Sequence, residues 1–196
     1  MTPVGTKLLR MGLVLAVLAA SLRAGSVEAA EFDFAKFHHE LGLRLVSGRA
    51  IWDGNVRLHG IMPRFGWVLV GPGNPRWAGV GVTVALEGIF AVAEASHTGC
   101  ELGLTPLLKL SYPVARRALL FVEGGAGIIG EFIDTPDVSH HFNFTPQAGA
   151  GVEIALAPQW SLTVAYRYRH SSNAGLYTEN PAFDVHLVQA GLTYYF

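Results

Sequence analysis

The chain has 196 residues, of which 51% are hydrophobic and 15% charged, with 23 glycines and a formal net charge of −1. That length suits one domain, and the near-neutral charge offers no basic surface of the kind nucleic-acid binding requires. Beyond the N-terminus no run reaches the roughly 18 consecutive apolar residues of a membrane-spanning helix, so the apolarity is dispersed rather than concentrated.

The first segment reads as a leader. Lys7 and Arg10 precede the apolar run Met11 to Ala20, and small residues follow up to Ala29 and Ala30. This is the pattern of a Sec-type signal peptide over 1–29, cleaved after Ala29, with a single domain over 30–196. Taking Lys7, Arg10, Arg23 and Glu28 from 14 basic and 15 acidic residues leaves 11 and 14, so the secreted part is mildly acidic.

Eight stretches of alternating apolar and polar residues follow, at 37–46, 56–70, 77–95, 100–112, 117–130, 141–156, 160–172 and 183–196. Side chains on a strand alternate between its two faces. Strands of this kind, with no apolar helix, predict an all-β fold: an eight-stranded antiparallel transmembrane β-barrel of the outer membrane, the smallest size of such barrels. The connections differ in character. Residues 71–75, 113–116 and 157–159 read as tight turns; 47–55, 131–140 and 173–182 are longer and more polar, and 96–99 is short. Short turns face the periplasm and long loops the exterior, which puts both ends of the barrel chain in the periplasm.

Glu40, Glu87, Glu123, Arg167 and Arg169 fall on the polar face of their strands and are expected inside, where a narrow barrel is filled by side chains that can pair. In the sixth strand Phe142, Phe144, Ala148, Ala150, Val152, Ile154 and Leu156 alternate with Asn143, Thr145, Gln147, Gly149, Gly151 and Glu153. Cys100 is the only cysteine, which excludes an intramolecular disulfide and a cysteine-based metal site. The pairs His38-His39 and His140-His141 are strand neighbours that point to opposite faces, a poor arrangement for chelation from one side.

The last two strands carry the chemistry. Trp160, Leu162, Val164, Tyr166 and Tyr168 share the lipid-facing side, and His170 and Ser172 continue it. Counting back from Phe196 through Tyr194, Leu192, Ala190, Val188 and His186 brings Asp184 to the same side. A Ser, a His and an Asp thus emerge on one apolar face. Trp160 marks the inner aromatic girdle, and ten steps up a tilted strand climb roughly 25 Å, about the height of the apolar band. The three residues are therefore expected at the outer boundary of the membrane. That composition fits nucleophilic attack on a lipid ester: a hydroxyl needs an adjacent base, and the base an orienting acid.

The run His170-Ser171-Ser172-Asn173-Ala174-Gly175-Leu176, followed by Asn180-Pro181 and Asp184, resembles the signature of the outer-membrane lipid A 3-O-deacylases, the PagL family. The resemblance implies removal of the 3-position hydroxyacyl chain of lipid A by ester hydrolysis, with no metal or other cofactor. It implies Ser172 as nucleophile, His170 as base and Asp184 as acid. Asn173 would be critical for activity, and it or a nearby backbone N–H such as that of Gly175 would serve the oxyanion. The partners implied are lipopolysaccharide and the outer membrane; a homodimer is left open. Two residues depart from the family pattern: Asp184 stands where Glu is usual, and Ala182 where Gly is usual. The rival readings are a non-catalytic structural or adhesion barrel, and another lipid-acting barrel enzyme such as a phospholipase or acyltransferase.

Overall fold

The computed structural model describes residues 33–52 and 55–196; the signal-peptide expectation lies outside the described residues. Eight strands follow in order: β1 His39–Ala50, β2 Arg57–Val70, β3 Gly81–Glu94, β4 Thr98–Ala115, β5 Ala118–Phe132, β6 Phe142–Ala157, β7 Trp160–Ser171 and β8 Phe183–Tyr195. Each pairs antiparallel with the next, and β8 pairs back with β1, closing the barrel. Closure leaves no strand edge unpaired, the condition for sheet to cross a bilayer.

The alternation holds along the strands. Leu41, Leu43, Leu45, Leu102, Leu104, Leu120, Val122 and Val188 are exposed on the outer surface, while their neighbours are buried. An exterior of this kind is the apolar band of an integral outer-membrane barrel. Phe65, Trp67, Tyr194 and Phe196 form an aromatic cluster at the end where the chain enters and leaves, and Trp160 packs on Tyr194.

The interior is layered. At mid-height Arg44, Arg64 and Arg167 interleave with Glu87 and Glu123, and Lys109 joins Glu40 to Glu153. Removing one partner from a buried pair strands the other charge, at a cost of about 3–5 kcal/mol, so each charge holds its strand's register. Toward the opposite end from the termini the lumen becomes apolar, packed by Val46, Leu58, Met62, Ile89, Ile129, Phe183 and Leu187. That plug sits directly behind the upper ends of β7 and β8.

Three boundaries differ from the sequence expectation. The segment 71–75 is not a tight turn by itself: Asn74 caps a short 3-10 helix, Pro75–Trp77, and the connection runs to Val80. Asn followed by Pro is a helix-start signal as much as a turn signal. β1 runs on to Ala50, and β4 passes Pro113 through an irregularity in its pairing to reach Ala115.

Candidate active site

The site is built on the upper ends of β7 and β8. His170 and Asp184 are register partners, directly opposite across the two strands. Both belong to the outward set, so the pairing turns sequence positions fourteen apart into side-chain neighbours. His170 Nδ1 lies 2.7 Å from Asp184 Oδ1, and its Nε2 lies 3.1 Å from Ser172 Oγ. One ring therefore joins the hydroxyl and the carboxylate. With Nδ1 protonated toward Asp184, Nε2 is left as the acceptor for the serine proton.

Ser172 stands just past the end of β7, but its backbone is not loose. Its N–H donates to the Phe144 carbonyl at 3.1 Å, and its own carbonyl accepts from the Phe144 N–H at 2.8 Å. This single bridge to β6 extends the sheet by one residue and continues the outward facing to the hydroxyl. Ser171 has the opposite fate. It is buried, and its hydroxyl donates inward to Glu131 at 2.7 Å and to the Phe183 carbonyl at 3.2 Å. Glu131 also accepts from Asn143, and Arg169 grips Glu101 through both terminal nitrogens. These inward bonds lock the same strand whose outward side presents the ring.

Asp184 receives two further donors. The Tyr168 hydroxyl donates to Oδ1 at 2.8 Å, and the indole of Trp52 donates to Oδ2 at 2.9 Å. Trp52 comes from the connection between β1 and β2, reaching over the seam where β1 meets β8. Asp184 is only 8% exposed, whereas Trp52 itself is 74% exposed. Sequence reasoning missed Trp52; the available signal was a tryptophan isolated in a polar loop on the exterior side. Below the acid, Tyr166 hydrogen-bonds the ring of His186, which stands opposite Tyr168 in the register.

Asn173 is buried at 1% exposure and spends its polar groups on the loop. Its N–H donates to Asn180 Oδ1 at 2.8 Å, its Nδ2 donates to the Glu179 carbonyl at 2.6 Å, and its Oδ1 accepts from the Gly175 N–H at 2.9 Å. Ala174 and Gly175 turn the chain in the left-handed region, with φ of 53° and 82°. The two groups expected to serve an oxyanion, the Asn173 side-chain amide and the Gly175 N–H, are thus already engaged within the loop. The Glu179 carbonyl also accepts from Ser139, and His140 stacks on Tyr177 at 4.1 Å, tying this loop to the one after β5.

The lipid A 3-O-deacylase (PagL) family model matches residues 61–193. Among solved structures, the barrel is similar to the outer membrane enzyme PagL, at 19% identity and a TM-score of 0.55, over 78% of this chain and 98% of that one. It is also similar to neisserial surface protein A, at 13% identity and a TM-score of 0.53, over 82% and 97%. A third is Ail, the attachment invasion locus protein of Yersinia pestis, at 15% identity and a TM-score of 0.51, over 81% and 97%. No curated protein matches the sequence.

Proposed function

This chain belongs to the lipid A 3-O-deacylase family, and from that premise we propose that it hydrolyses the ester holding the 3-hydroxyacyl chain at the 3-position of lipid A, as a serine esterase. The observation that carries the reading is the hydrogen-bonded series Ser172, His170, Asp184 on the outward face of strand ends remote from the periplasmic aromatic cluster. An ester in the outer leaflet would meet the serine from the membrane side.

Ser172 Oγ attacks the ester carbonyl carbon as its proton passes to His170 Nε2. A positioned base of this kind contributes roughly 10²–10⁴ in rate. The tetrahedral oxyanion collapses, the bond to the sugar oxygen breaks, and His170 returns its proton to that oxygen. Water then attacks the acyl-serine with His170 again as base, releasing the 3-hydroxy acid and restoring Ser172. Asp184 holds the ring in the required tautomer and offsets its charge when protonated. For the oxyanion, the Ala174 N–H is the donor of choice, since the N–H groups of Asn173 and Gly175 are given to Asn180 and Asn173. One such donor contributes roughly 10²–10³ in rate.

The test is mass spectrometry of lipid A from cells with and without the protein. Loss of one ester-linked hydroxyacyl chain is expected with the wild type and not with Ser172→Ala. Unchanged lipid A, or the chain appearing on a second lipid, would refute the hydrolase reading in favour of a non-catalytic barrel or an acyltransferase.

A further inference from the structure

The end of the barrel remote from the triad carries cations that the fold leaves unused. Arg116 and Arg117 are the turn residues between β4 and β5, just beyond the pair Ala115 and Ala118. Both are exposed, and neither side chain makes an ion pair or hydrogen bond among the described residues. Adjacent guanidinium groups repel, so an anion beside them is favoured. Arg76, exposed in the connection from β2 to β3, adds a third positive charge. The connections 71–80, 116–117 and 158–159 hold no acidic residue. Asp33, at the same end, is already paired with Lys36.

Beside this turn the lipid-facing surface is hollow. Val80, Leu110, Tyr112, Leu120, Val122 and Ala150 line a depression of about 390 Å³, within the range of ligand pockets, roughly 300–1,000 Å³. The small side chain of Ala150 opens it, standing between Val122 on β5 and Tyr166 on β7. Tyr112 and Leu120 are register partners and form the lower lip, three to four residues from the arginines. Gly79, at φ 83°, lies against the Tyr112 ring, where a Cβ would come within 3.0 Å. The connection that carries Arg76 therefore borders the same lip. A second depression of about 400 Å³ lies higher on this side, lined by Phe90, Leu102, Leu104, Ile128, Phe132 and Phe142. The loops beside it, 95–97 and 133–141, contain no Lys or Arg. Of the two, the lower one joins an apolar trough to unpaired cations.

We infer that Arg116, Arg117 and this trough bind an anionic phospholipid of the periplasmic leaflet, of the phosphatidylglycerol kind. A guanidinium donates paired hydrogen bonds to phosphate oxygens, and the phosphodiester supplies the negative charge that the turn lacks. One acyl chain lies in the trough over Ala150, with Tyr112 at the interface, the level that amphipathic aromatic rings prefer. A zwitterionic phospholipid brings an ammonium along with its phosphate, which uncompensated arginines disfavour. The site stands apart from the hydrolysis: it lies at the other end of the barrel from Ser172, His170 and Asp184.

The experiment is native mass spectrometry of the purified protein in detergent, titrated separately with palmitoyl-oleoyl phosphatidylglycerol, the matching phosphatidylethanolamine, and lipid A. Wild type should retain one phosphatidylglycerol about tenfold more tightly than phosphatidylethanolamine, the order expected of two arginines at an anionic surface. Arg116→Gln with Arg117→Gln should erase that preference. The paired Lys variant should keep part of it, since lysine retains the charge without the fork. Ala150→Phe fills the trough with the charges intact and should weaken retention of phosphatidylglycerol several-fold. Arg57→Gln, at the far end of the barrel, should match wild type. Heat-dependent gel migration checks that each variant is folded. Equal retention of the two phospholipids by wild type, or an unchanged preference in the double Gln variant, would overturn the site. Unaltered affinity in Ala150→Phe would also overturn it, reducing the arginines to a diffuse surface charge. So would loss of lipid A, rather than of phosphatidylglycerol, from the double Gln variant, which would assign this end to the outer leaflet.

Discussion

The indole nitrogen of Trp52 donates a hydrogen bond to Asp184 Oδ2 at 2.9 Å, across the seam where the first strand meets the last. Tyr168 and His170 share the other carboxylate oxygen. With both oxygens engaged, the carboxylate plane is fixed, and the imidazole aligned with it is fixed as well. In the proposed mechanism Trp52 is therefore a positioning residue for the acid. Trp52→Phe removes the donor and keeps the ring. It should lower kcat about tenfold, the order of one hydrogen bond to a charged group. In an Asp184→Asn background the same change should cost nothing further, because the two residues act through one contact. Full additivity in that cycle would place Trp52 outside the acid's function.

The departure from Glu to Asp also becomes a matter of reach. Direct register pairing of His170 with Asp184 already brings the short carboxylate to 2.7 Å from Nδ1. A glutamate here would carry its carboxylate one methylene further, past the plane set by Trp52 and Tyr168. Asp184→Glu should therefore keep partial activity rather than gain any, since a misplacement of about 1 Å can cost 10²-fold. Asp184→Asn should lower turnover by about two to four orders of magnitude, the upper end following the amide replacement in a well-studied triad. Steady-state rates on purified lipid A measure both, with heat-dependent gel migration reporting an intact barrel. A wild-type rate for Asp184→Asn would exclude it as the acid.

Much of this site was legible before any coordinates, for a definite reason. The strict two-residue alternation from Trp160 to Asn173 separates Ser172 from Ser171 without knowledge of any partner strand. The same alternation assigns Asp184 to the outer surface and Glu123 and Arg167 to the interior. What alternation cannot carry is register. Whether Asp184 stands opposite His170 or two residues away depends on the hydrogen-bonded conformation of the loop 172–182, which Asn173 and Asn180 organise. Trp52 lay further out of reach. It is 132 residues from Asp184 in the chain, and its contact exists only because the barrel closes. Nor can alternation reveal how the Asn173 amide, expected together with nearby backbone N–H groups to serve the oxyanion, is engaged within the loop. Its side chain continues the inward set, and there it finds the Glu179 carbonyl.

Ser171 and Ser172 provide an internal control on facing. Ser171→Ala removes a buried donor from Glu131 and should destabilise the barrel by about 1–3 kcal/mol, the cost of leaving such a group unsatisfied. Turnover should stay within a few-fold of wild type, because the hydroxyl points into the lumen. Ser172→Ala should do the reverse, abolishing turnover with little change in stability. Unfolding in denaturant and deacylation assays on the two variants separate these effects. The opposite assignment of losses would mean a one-residue slip of β7, which would exchange its two faces.

Asn173 is the keystone of the loop that follows the serine. Three bonds leave it within seven residues, to Asn180, to the Glu179 carbonyl and from the Gly175 N–H. They hold Ala174 in a left-handed conformation that a residue with a Cβ adopts only at some cost. Asn173→Ala leaves the Glu179 carbonyl and the Gly175 N–H without these partners, and the turn should relax. The activity loss should be about 10²-fold or more, from displacement of the turn amides and of Ser172 at the loop's root. Two readouts distinguish this from loss of a direct side-chain contact to the oxyanion. Limited proteolysis should cut the variant within 174–182 much faster than wild type, and Asn173→Asp, which keeps the acceptor for Gly175, should lose less activity than Asn173→Ala. Wild-type protease resistance together with full loss of activity in Asn173→Ala would instead assign the amide to the reacting ester.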